Sequence, residues 1–321
     1  MNLLTPPPEA ATAGLRAMKM IAAAGPHGFG TPARNLLRAA QSHVLKIDLD
    51  LDALTPITPE ALAAAFPPGP LRPQFAQAML MVSLVDGEPT PSQMKLVQSF
   101  GQALGVDEPA MAVIRRLADH QMLIFRLDFM RRSHIADIFK EQFRHHGGIA
   151  GLVRGLLGQR GFIEDAALAA RYRALAKLPA GSLGHTFYTH YREHGFPLPG
   201  EKGGFPEAGV YHDFAHVLGG YGPTPAEETL VGGFTAGFKK GNPLFVCLFV
   251  FLSFGAGVNV TPVEQPHVEG ILAMPGLADR FFRAHERGQA MNTDLSDNWD
   301  FWPYVALPID AARARLGIPP E

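Results

Sequence analysis

Residues 211–228 read YHDFAHVLGGYGPTPAEE. Residues four apart on an α-helix lie on the same face, so a helix here would direct His212 and His216 the same way. Asp213 lies three residues before His216 and falls on the adjoining edge of that face. Imidazole and carboxylate groups arranged in this way are ligands for a divalent metal ion. We therefore predict that this helix contributes His212, Asp213 and His216 to a metal site.

The glycine-rich turn after this segment predicts a second helix and a fourth ligand. Left-handed backbone conformations that end a helix can be supplied by Gly219, Gly220 and Gly222. The following residues predict a helix start, with Thr224 as N-cap, Pro225 as the first helical residue and Glu227 as the capping-box partner. This leaves Glu228 free to project elsewhere, and a short turn can return it to the histidine face. We predict Glu228 as the fourth metal ligand.

The rest of the chain predicts an all-α protein. Apolar residues recur at helical spacing, and proline and glycine lie mostly between the periodic segments. Helix-start signals recur as Thr58-Pro59-Glu60, Thr90-Pro91-Ser92-Gln93 and Thr261-Pro262-Val263-Glu264. Alternating apolar and polar segments of useful strand length do not occur. A leading helix is expected over roughly residues 9–24.

Composition narrows the classes of function and of metal ligand. The chain has 321 residues, 47% of them hydrophobic, and a formal net charge of −2, which gives no drive toward nucleic acid. Cys247 is the sole cysteine, so a disulfide or a cysteine-based metal site within one chain is excluded. The 13 histidines leave imidazole and carboxylate as the ligands. These ligands suit Zn, Fe, Mn or Co and do not choose among them. We expect a cytoplasmic protein.

An apolar run over residues 244–254 reads LFVCLFVFLSF. It is about half of the ~20 residues that a membrane-spanning helix needs. A buried core helix is the favoured interpretation, and the wall of a lipid pocket or a surface that meets a bilayer is the alternative. Phe245 and Phe249 are the candidate lipid contacts in this run.

The N-terminal part of the chain contains an apolar helix over Phe75–Val85, the turn Asp86-Gly87-Glu88, the Thr90 capping box and the pair Leu104-Gly105. In these features it resembles the tellurite-resistance protein B-like (TerB-like) helical domain. A glycine-rich stretch over residues 147–158 divides this part from the part that carries the metal motif. We therefore predict a leading helix and connector over residues 1–30, a TerB-like domain over 31–150 and a metal-binding domain over 151–321.

The C-terminal part resembles the coenzyme Q (ubiquinone) biosynthesis protein 4 family. The matching segments are Leu178–His185, Phe187–Tyr191, the HDxxH motif with Glu228, Trp299–Trp302 and Ile309–Ile318. The resemblance implies an all-helical, metal-binding fold with an apolar pocket for an isoprenoid tail. It also implies a function in ubiquinone biosynthesis, at C1 of a prenylated aromatic precursor, where carboxyl is exchanged for hydroxyl. Candidate substrate-binding or lipid-binding residues are His185, Tyr188, Tyr211, Tyr221, Phe245 and Phe249.

Three functions stay open at this point. The favoured one is a metal-dependent oxidative decarboxylase or hydroxylase that acts on a prenyl-phenol ring. A second is a non-catalytic, lipid-binding scaffold of a quinone-biosynthesis complex with a structural metal, and a third is a metal-dependent hydrolase. The resemblance further implies a homo-oligomer that binds a prenyl lipid, contacts other quinone-biosynthesis proteins and associates peripherally with the inner face of a membrane.

Overall fold

A computed structural model describes residues 3–133, 164–260 and 267–320 of the chain. In these residues the regular structure is helical, and β-pairing is limited to the isolated bridges Ser182–Pro308 and Ala256–Glu269. The all-α prediction is confirmed. The α-helices in chain order are α1 Pro8–Ala23, α2 Thr31–Ala40, α3 Pro59–Ala65, α4 Leu71–Val82, α5 Pro91–Leu104, α6 Pro109–Ala118, α7 Met122–Arg132, α8 Ala166–Arg173, α9 Leu183–Glu193, α10 Tyr211–Gly219, α11 Pro225–Phe238, α12 Pro243–Val250, α13 Leu277–Gln289 and α14 Ile309–Leu316.

The described residues group into two compact units. The motif unit contains residues 133, 164–243 and 284–320, and the N-terminal unit contains residues 3–132, 244–260 and 267–283. The sequence-based boundaries at 30 and 150, and the family identity of each domain, stay predictions. The contacts nevertheless assign residues 244–260 and 267–283 to the N-terminal unit, whereas the sequence prediction included them in a domain over 151–321.

The N-terminal unit is built around α1. Leu15 and Ile21 of this helix are fully buried, and α1 packs against α2, α3, α4 and α5. At the start of α5, Thr90 and Gln93 form the expected capping box, in which each side chain accepts the other residue's backbone N–H. Thr58 likewise caps α3. The helix start predicted at Thr261 lies outside the described residues.

The apolar run over residues 244–254 forms most of α12 and a π-helical segment, Phe251–Gly255, in the N-terminal unit. Its side chains are largely buried, and the ring of Phe245 packs 5.8 Å from that of Phe129. The favoured interpretation of this run as a core helix is therefore supported. Among the residues that the structure describes, no helix has both the length and the apolar character needed to cross a bilayer.

In the motif unit, an aromatic core supports α10. Phe214 of α10 stacks on Phe187 of α9 with ring centroids 4.3 Å apart. The rings of Phe301 and Trp299 complete the contact, at 4.6 and 5.7 Å from Phe214. Aromatic pairs at these separations stabilise a core beyond the burial of their area alone. The core fixes α10 against α9 and so sets the position of the residues on its opposite face.

Where α11 crosses the C-terminal part of α13, the two backbones are in contact. A β-carbon added to Gly288 would lie 2.0 Å from the carbonyl oxygen of Phe234, and one added to Gly237 would lie 2.3 Å from that of His285. Glycine is therefore required at both positions because any side chain would force the helices apart. This crossing places α11, which carries Glu228, firmly within the motif unit.

Candidate metal centre

The turn between α10 and α11 is set by two glycines with different roles. Gly220 adopts the left-handed conformation that ends α10, with φ of 80°. Gly219 is required for space, because its β-carbon would lie 2.5 Å from the ring of Tyr221. Of the three glycines that could supply left-handed backbone, Gly220 adopts it, whereas Gly219 and Gly222 do not have positive φ.

Helix α11 begins at the predicted N-cap and returns Glu228 to the histidine face, while the reciprocal capping bond of Glu227 stays a prediction. Thr224 is the N-cap, and its Oγ1 accepts the backbone N–H of Glu227 at 3.3 Å. Pro225 is the first helical residue. Proline costs no hydrogen bond at this position, because the N–H of a first helical residue has no acceptor within the helix. Glu228, one residue after Glu227, projects from the first turn of α11 toward α10.

Three of the four predicted ligands come together. His212, His216 and Glu228 each place a ligand atom within 4.8 Å of the other two. The two Nε2 atoms lie 3.2 Å apart, Glu228 Oε2 lies 3.5 Å from His212 Nε2, and Glu228 Oε1 lies 3.4 Å from His216 Nε2. A tetrahedral ion with bonds of about 2.0–2.2 Å separates its ligand atoms by about 3.3–3.6 Å. The three side chains can therefore hold one metal ion with little movement.

The backbone selects the tautomer of His216 that a metal requires. His216 Nδ1 lies 3.2 Å from the carbonyl oxygen of Tyr221, to which it donates its proton. A neutral imidazole carries one N–H, so Nε2 keeps its lone pair and faces Glu228. The amide of Tyr221 in turn donates to the carbonyl of His216 at 2.9 Å, so the same residue holds both the ring and the end of α10.

The metal centre is buried on one side and open on the other. The side chain of His216 is 3% exposed, whereas those of His212 and Glu228 are 37% and 27% exposed. Three protein ligands with an accessible fourth side are typical of catalytic metal sites, whereas structural sites close the coordination shell with protein atoms. The arrangement leaves room for water or a substrate oxygen beside His212.

The ionisable groups of the centre bias one another's protonation. Burial opposes ionisation of Glu228, but the adjacent imidazoles of His212 and His216 hold the pKa of that carboxyl well below its usual range. Burial lowers the pKa of His212, and the hydrogen bond and charge of Glu228 outweigh it, so the pKa is raised. In the absence of metal, the carboxylate is therefore ionised and draws a proton to His212. A divalent cation would replace that proton.

Asp213 has a different partner from the one predicted. Its Oδ2 accepts a hydrogen bond from the hydroxyl of Tyr191 on α9 at 2.6 Å, and it is not in the group of three close ligands. Burial raises the pKa of Asp213, against the Tyr191 hydrogen bond and the nearby imidazoles. Burial and the Asp213 carboxylate together raise the pKa of Tyr191. In the structure, Asp213 therefore lies beside the centre as an acceptor for Tyr191.

Two arginines from the C-terminal segment hold the end of α10. Arg287 Nη1 donates to the carbonyl of Gly219 at 2.9 Å and to the hydroxyl of Tyr221 at 2.8 Å. Arg313 Nε donates to the carbonyl of Leu218 at 2.9 Å. The last carbonyls of a helix lack helical partners and carry partial negative charge, which these guanidinium groups satisfy. Both arginines therefore act on His216 through the turn that orients its ring.

His190 is a neighbour of the centre that the sequence reasoning did not assign. It lies on α9, and its ring stacks on that of His216 with centroids 5.8 Å apart. Burial and the adjacent imidazoles of His216 and His194 lower the pKa of His190 to about 4, so the ring is neutral near pH 7. The sequence indicates His185 and Tyr188 of α9 as candidates. The packing of α9 on α10 identifies His190 as the residue of α9 next to His216.

The predicted substrate-binding residues fall in several places. Thr189 Oγ1 lies 3.5 Å from His185 Nδ1, and the guanidinium of Arg192 covers the ring of Tyr188 at 5.2 Å. Tyr211 is buried at the start of α10, and Tyr221 is buried with its hydroxyl bonded to Arg287. Phe245 and Phe249 belong to the N-terminal unit. Their predicted contact with a lipid stays a prediction, as does the apolar pocket.

Comparison with known proteins adds no relative. No protein-family model matches the chain, and no curated protein matches it either. The two family resemblances therefore stay predictions from sequence motifs.

Proposed function

We propose that His212, His216 and Glu228 bind one divalent transition metal. The observation that carries this proposal is the convergence of one ligand atom from each residue within 4.8 Å, with the two Nε2 atoms 3.2 Å apart. The tautomer of His216, fixed by the Tyr221 carbonyl, supports it independently. Two imidazoles and a carboxylate suit Zn, Fe, Mn or Co, and we propose one of these as the cofactor.

We further propose that the protein is a metal-dependent enzyme of ubiquinone or prenylquinone biosynthesis. The HDxxH motif with Glu228 and the flanking motifs support this function, as does the accessible side of the centre beside His212. The substrate is a prenylated aromatic precursor, and the reaction is decarboxylation or hydroxylation at C1. A bound metal supplies Lewis acidity or, if it is redox-active, dioxygen chemistry.

The side chains around the centre have distinct tasks in this proposal. His216 would hold the buried side of the ion, and His212 and Glu228 would border the more exposed side, where a substrate oxygen would enter. Neutral His190 can accept or donate a hydrogen bond at the edge of the site. Tyr191 keeps a hydrogen bond on Asp213, which retains a carboxylate close to the ion without occupying a coordination position. We propose a prenyl lipid, a second copy of the chain and other quinone-biosynthesis proteins as partners at a membrane surface.

Metal content and turnover test these proposals in sequence. Native mass spectrometry with elemental analysis of gently purified protein should find one transition metal per chain, and His216→Ala should lose it. A purified protein without any metal, and with none taken up on addition, would refute the metal centre. Conversion of a carboxylated prenyl-phenol by wild type but not by folded His212→Ala would establish the enzyme. Bound metal and prenyl lipid without conversion would instead identify the lipid-binding scaffold.

A further inference from the structure

Four imidazole rings form a continuous row that leads from the surface to the proposed metal centre. In order they are His194, His190, His216 and His212, and the successive ring centroids lie 4.7, 5.8 and 4.8 Å apart. His194 is exposed, His190 is half-buried and His216 is buried. The inner pair is part of the centre described above. The outer pair is His190 and His194, and the proposed function uses only His190, as a hydrogen-bonding group at the edge of the site.

The outer pair repeats two geometric features of the inner pair. Both pairs are four residues apart, and their ring centroids are separated by nearly the same distance, 4.7 Å for the outer and 4.8 Å for the inner pair. His194 Nδ1 lies 2.8 Å from the carbonyl oxygen of His190 and donates its proton there, just as His216 Nδ1 donates to Tyr221. The Nε2 atom of His194 therefore keeps its lone pair, as a metal ligand must.

We propose that His190 and His194 form a second, weaker transition-metal site that loads the His212, His216 and Glu228 centre. This inference rests on the proposed metal function of that centre. Two imidazoles, with water in the remaining positions, suit borderline ions such as Zn²⁺, Co²⁺, Ni²⁺ or Cu²⁺ and do not suit Mg²⁺ or Ca²⁺. The outer site lacks a carboxylate, so its affinity is lower than that of the centre.

The stack of His190 on His216 gives the outer site its function. An ion that leaves His190 and His194 is released one imidazole ring away from the centre and exchanges those ligands for the Nε2 atoms of His212 and His216. Loss of His194 should therefore slow loading of the centre. The centre should keep its final affinity, because its own contacts join His212, His216 and Glu228.

Titration of metal-free protein with Co²⁺ tests the second site. We expect two binding events in wild type, the weaker with an affinity lower by about tenfold or more. His194→Ala, at an exposed position, should lose only the weaker event. The double variant His212→Ala with Glu228→Gln should lose only the tighter one. His120→Asn serves as control, because it removes an exposed imidazole at a left-handed position that asparagine tolerates.

The outcomes separate this inference from the proposed function. A weaker event that persists in His194→Ala would overturn the second site, whereas a wild type that lacks the tighter event would refute the metal centre. Loading is measured as the rate at which the visible spectrum of Co²⁺ in the centre develops. We expect this rate to fall by about fivefold or more in His194→Ala, with unchanged final amplitude, because one step of ligand exchange is lost. An unchanged rate would overturn the loading role.

Discussion

At the scale of single residues, Asp213 and Glu228 are both carboxylates of the motif but contact different groups. Glu228 lies 3.4–3.5 Å from the two imidazole nitrogens, whereas Asp213 accepts the Tyr191 hydroxyl. We therefore expect Glu228→Gln to weaken metal affinity by about 100-fold or more, and Asp213→Asn by less than about tenfold. Competition of each variant with a chromophoric chelator for Zn²⁺ measures both affinities.

Glu227→Gln is the matched control for this pair. It changes the adjacent carboxylate on the first turn of α11, whose backbone N–H is held by Thr224, and should keep wild-type affinity. If Asp213→Asn lost as much affinity as Glu228→Gln, Asp213 would be a direct ligand, as the sequence alone predicted.

His285 makes the stability of the protein depend on pH. Both ring nitrogens are buried and lack a hydrogen-bond partner among the described residues, and burial lowers the pKa of His285 to about 4. The unfolded chain, with a pKa of about 6.5, then binds a proton at higher pH than the folded protein does. The contribution of neutral His285 to the free energy of unfolding is fully present above about pH 6.5 and is lost as pH falls toward 4.

We expect His285→Leu to remove this part of the pH dependence. Between about pH 7 and pH 5, wild type should lose about 2 kcal/mol more of its free energy of unfolding than the variant does. Urea denaturation of metal-free protein at both pH values measures the difference. The exposed His120, replaced by Asn, should keep the wild-type slope. Equal losses in wild type and His285→Leu would show that another group causes the pH dependence.

At the scale of elements, the end of α10 depends on a distant helix. Arg287 of α13 donates to Gly219 and Tyr221, and the Tyr221 carbonyl fixes the tautomer of His216. We expect Arg287→Met to weaken metal affinity by about 10- to 100-fold, the range found for residues that orient a ligand. Nitrogen NMR of His216 should show a mixture of tautomers in this variant and one tautomer in wild type.

Two further variants separate orientation of the ligand from general loss of structure. Arg287→Lys should recover part of the affinity, since an ammonium restores the charge but lacks the second nitrogen, Nε, which donates to Pro319 while Nη1 donates to Gly219 and Tyr221. Arg283→Met changes an exposed arginine of the same helix and should behave as wild type. An Arg287→Met protein with a single His216 tautomer and unchanged affinity would contradict the proposed role.

The same elements show what the sequence could predict. Caps at Thr58, Thr90 and Thr224 follow from interactions within four residues, so local sequence was sufficient for them. The spacing of His212 and His216 on one helix is equally local. The role of Arg287 is not local, because Arg287 lies 66 residues from Tyr221 and their contact depends on tertiary packing. Gly219 is required because the Tyr221 ring packs against it, and this contact also depends on tertiary structure. A glycine in the sequence does not show whether it is needed to leave space for a neighbour or to adopt positive φ.

At the scale of the whole molecule, the division into units was the hardest feature to predict. The apolar composition of the run from residue 244 indicates that the run is buried. It does not indicate which of the two units the run packs into. Contacts assign this run, with residues up to 283, to the N-terminal unit. Helix α13 contributes residues to both units, so no linker composition marks this boundary in the sequence.

Because of this division, metal binding can be followed in the motif unit with an intrinsic probe. Both tryptophans of the chain, Trp299 and Trp302, belong to that unit, and Trp299 packs 5.7 Å from Phe214 of α10. An ion that binds only the folded protein adds about 4 kcal/mol to its stability at a thousandfold excess over Kd. We therefore expect Zn²⁺ to raise the urea midpoint detected by tryptophan fluorescence, and His216→Ala to abolish that rise. An equal rise in His216→Ala would mean that the stabilising ion binds elsewhere.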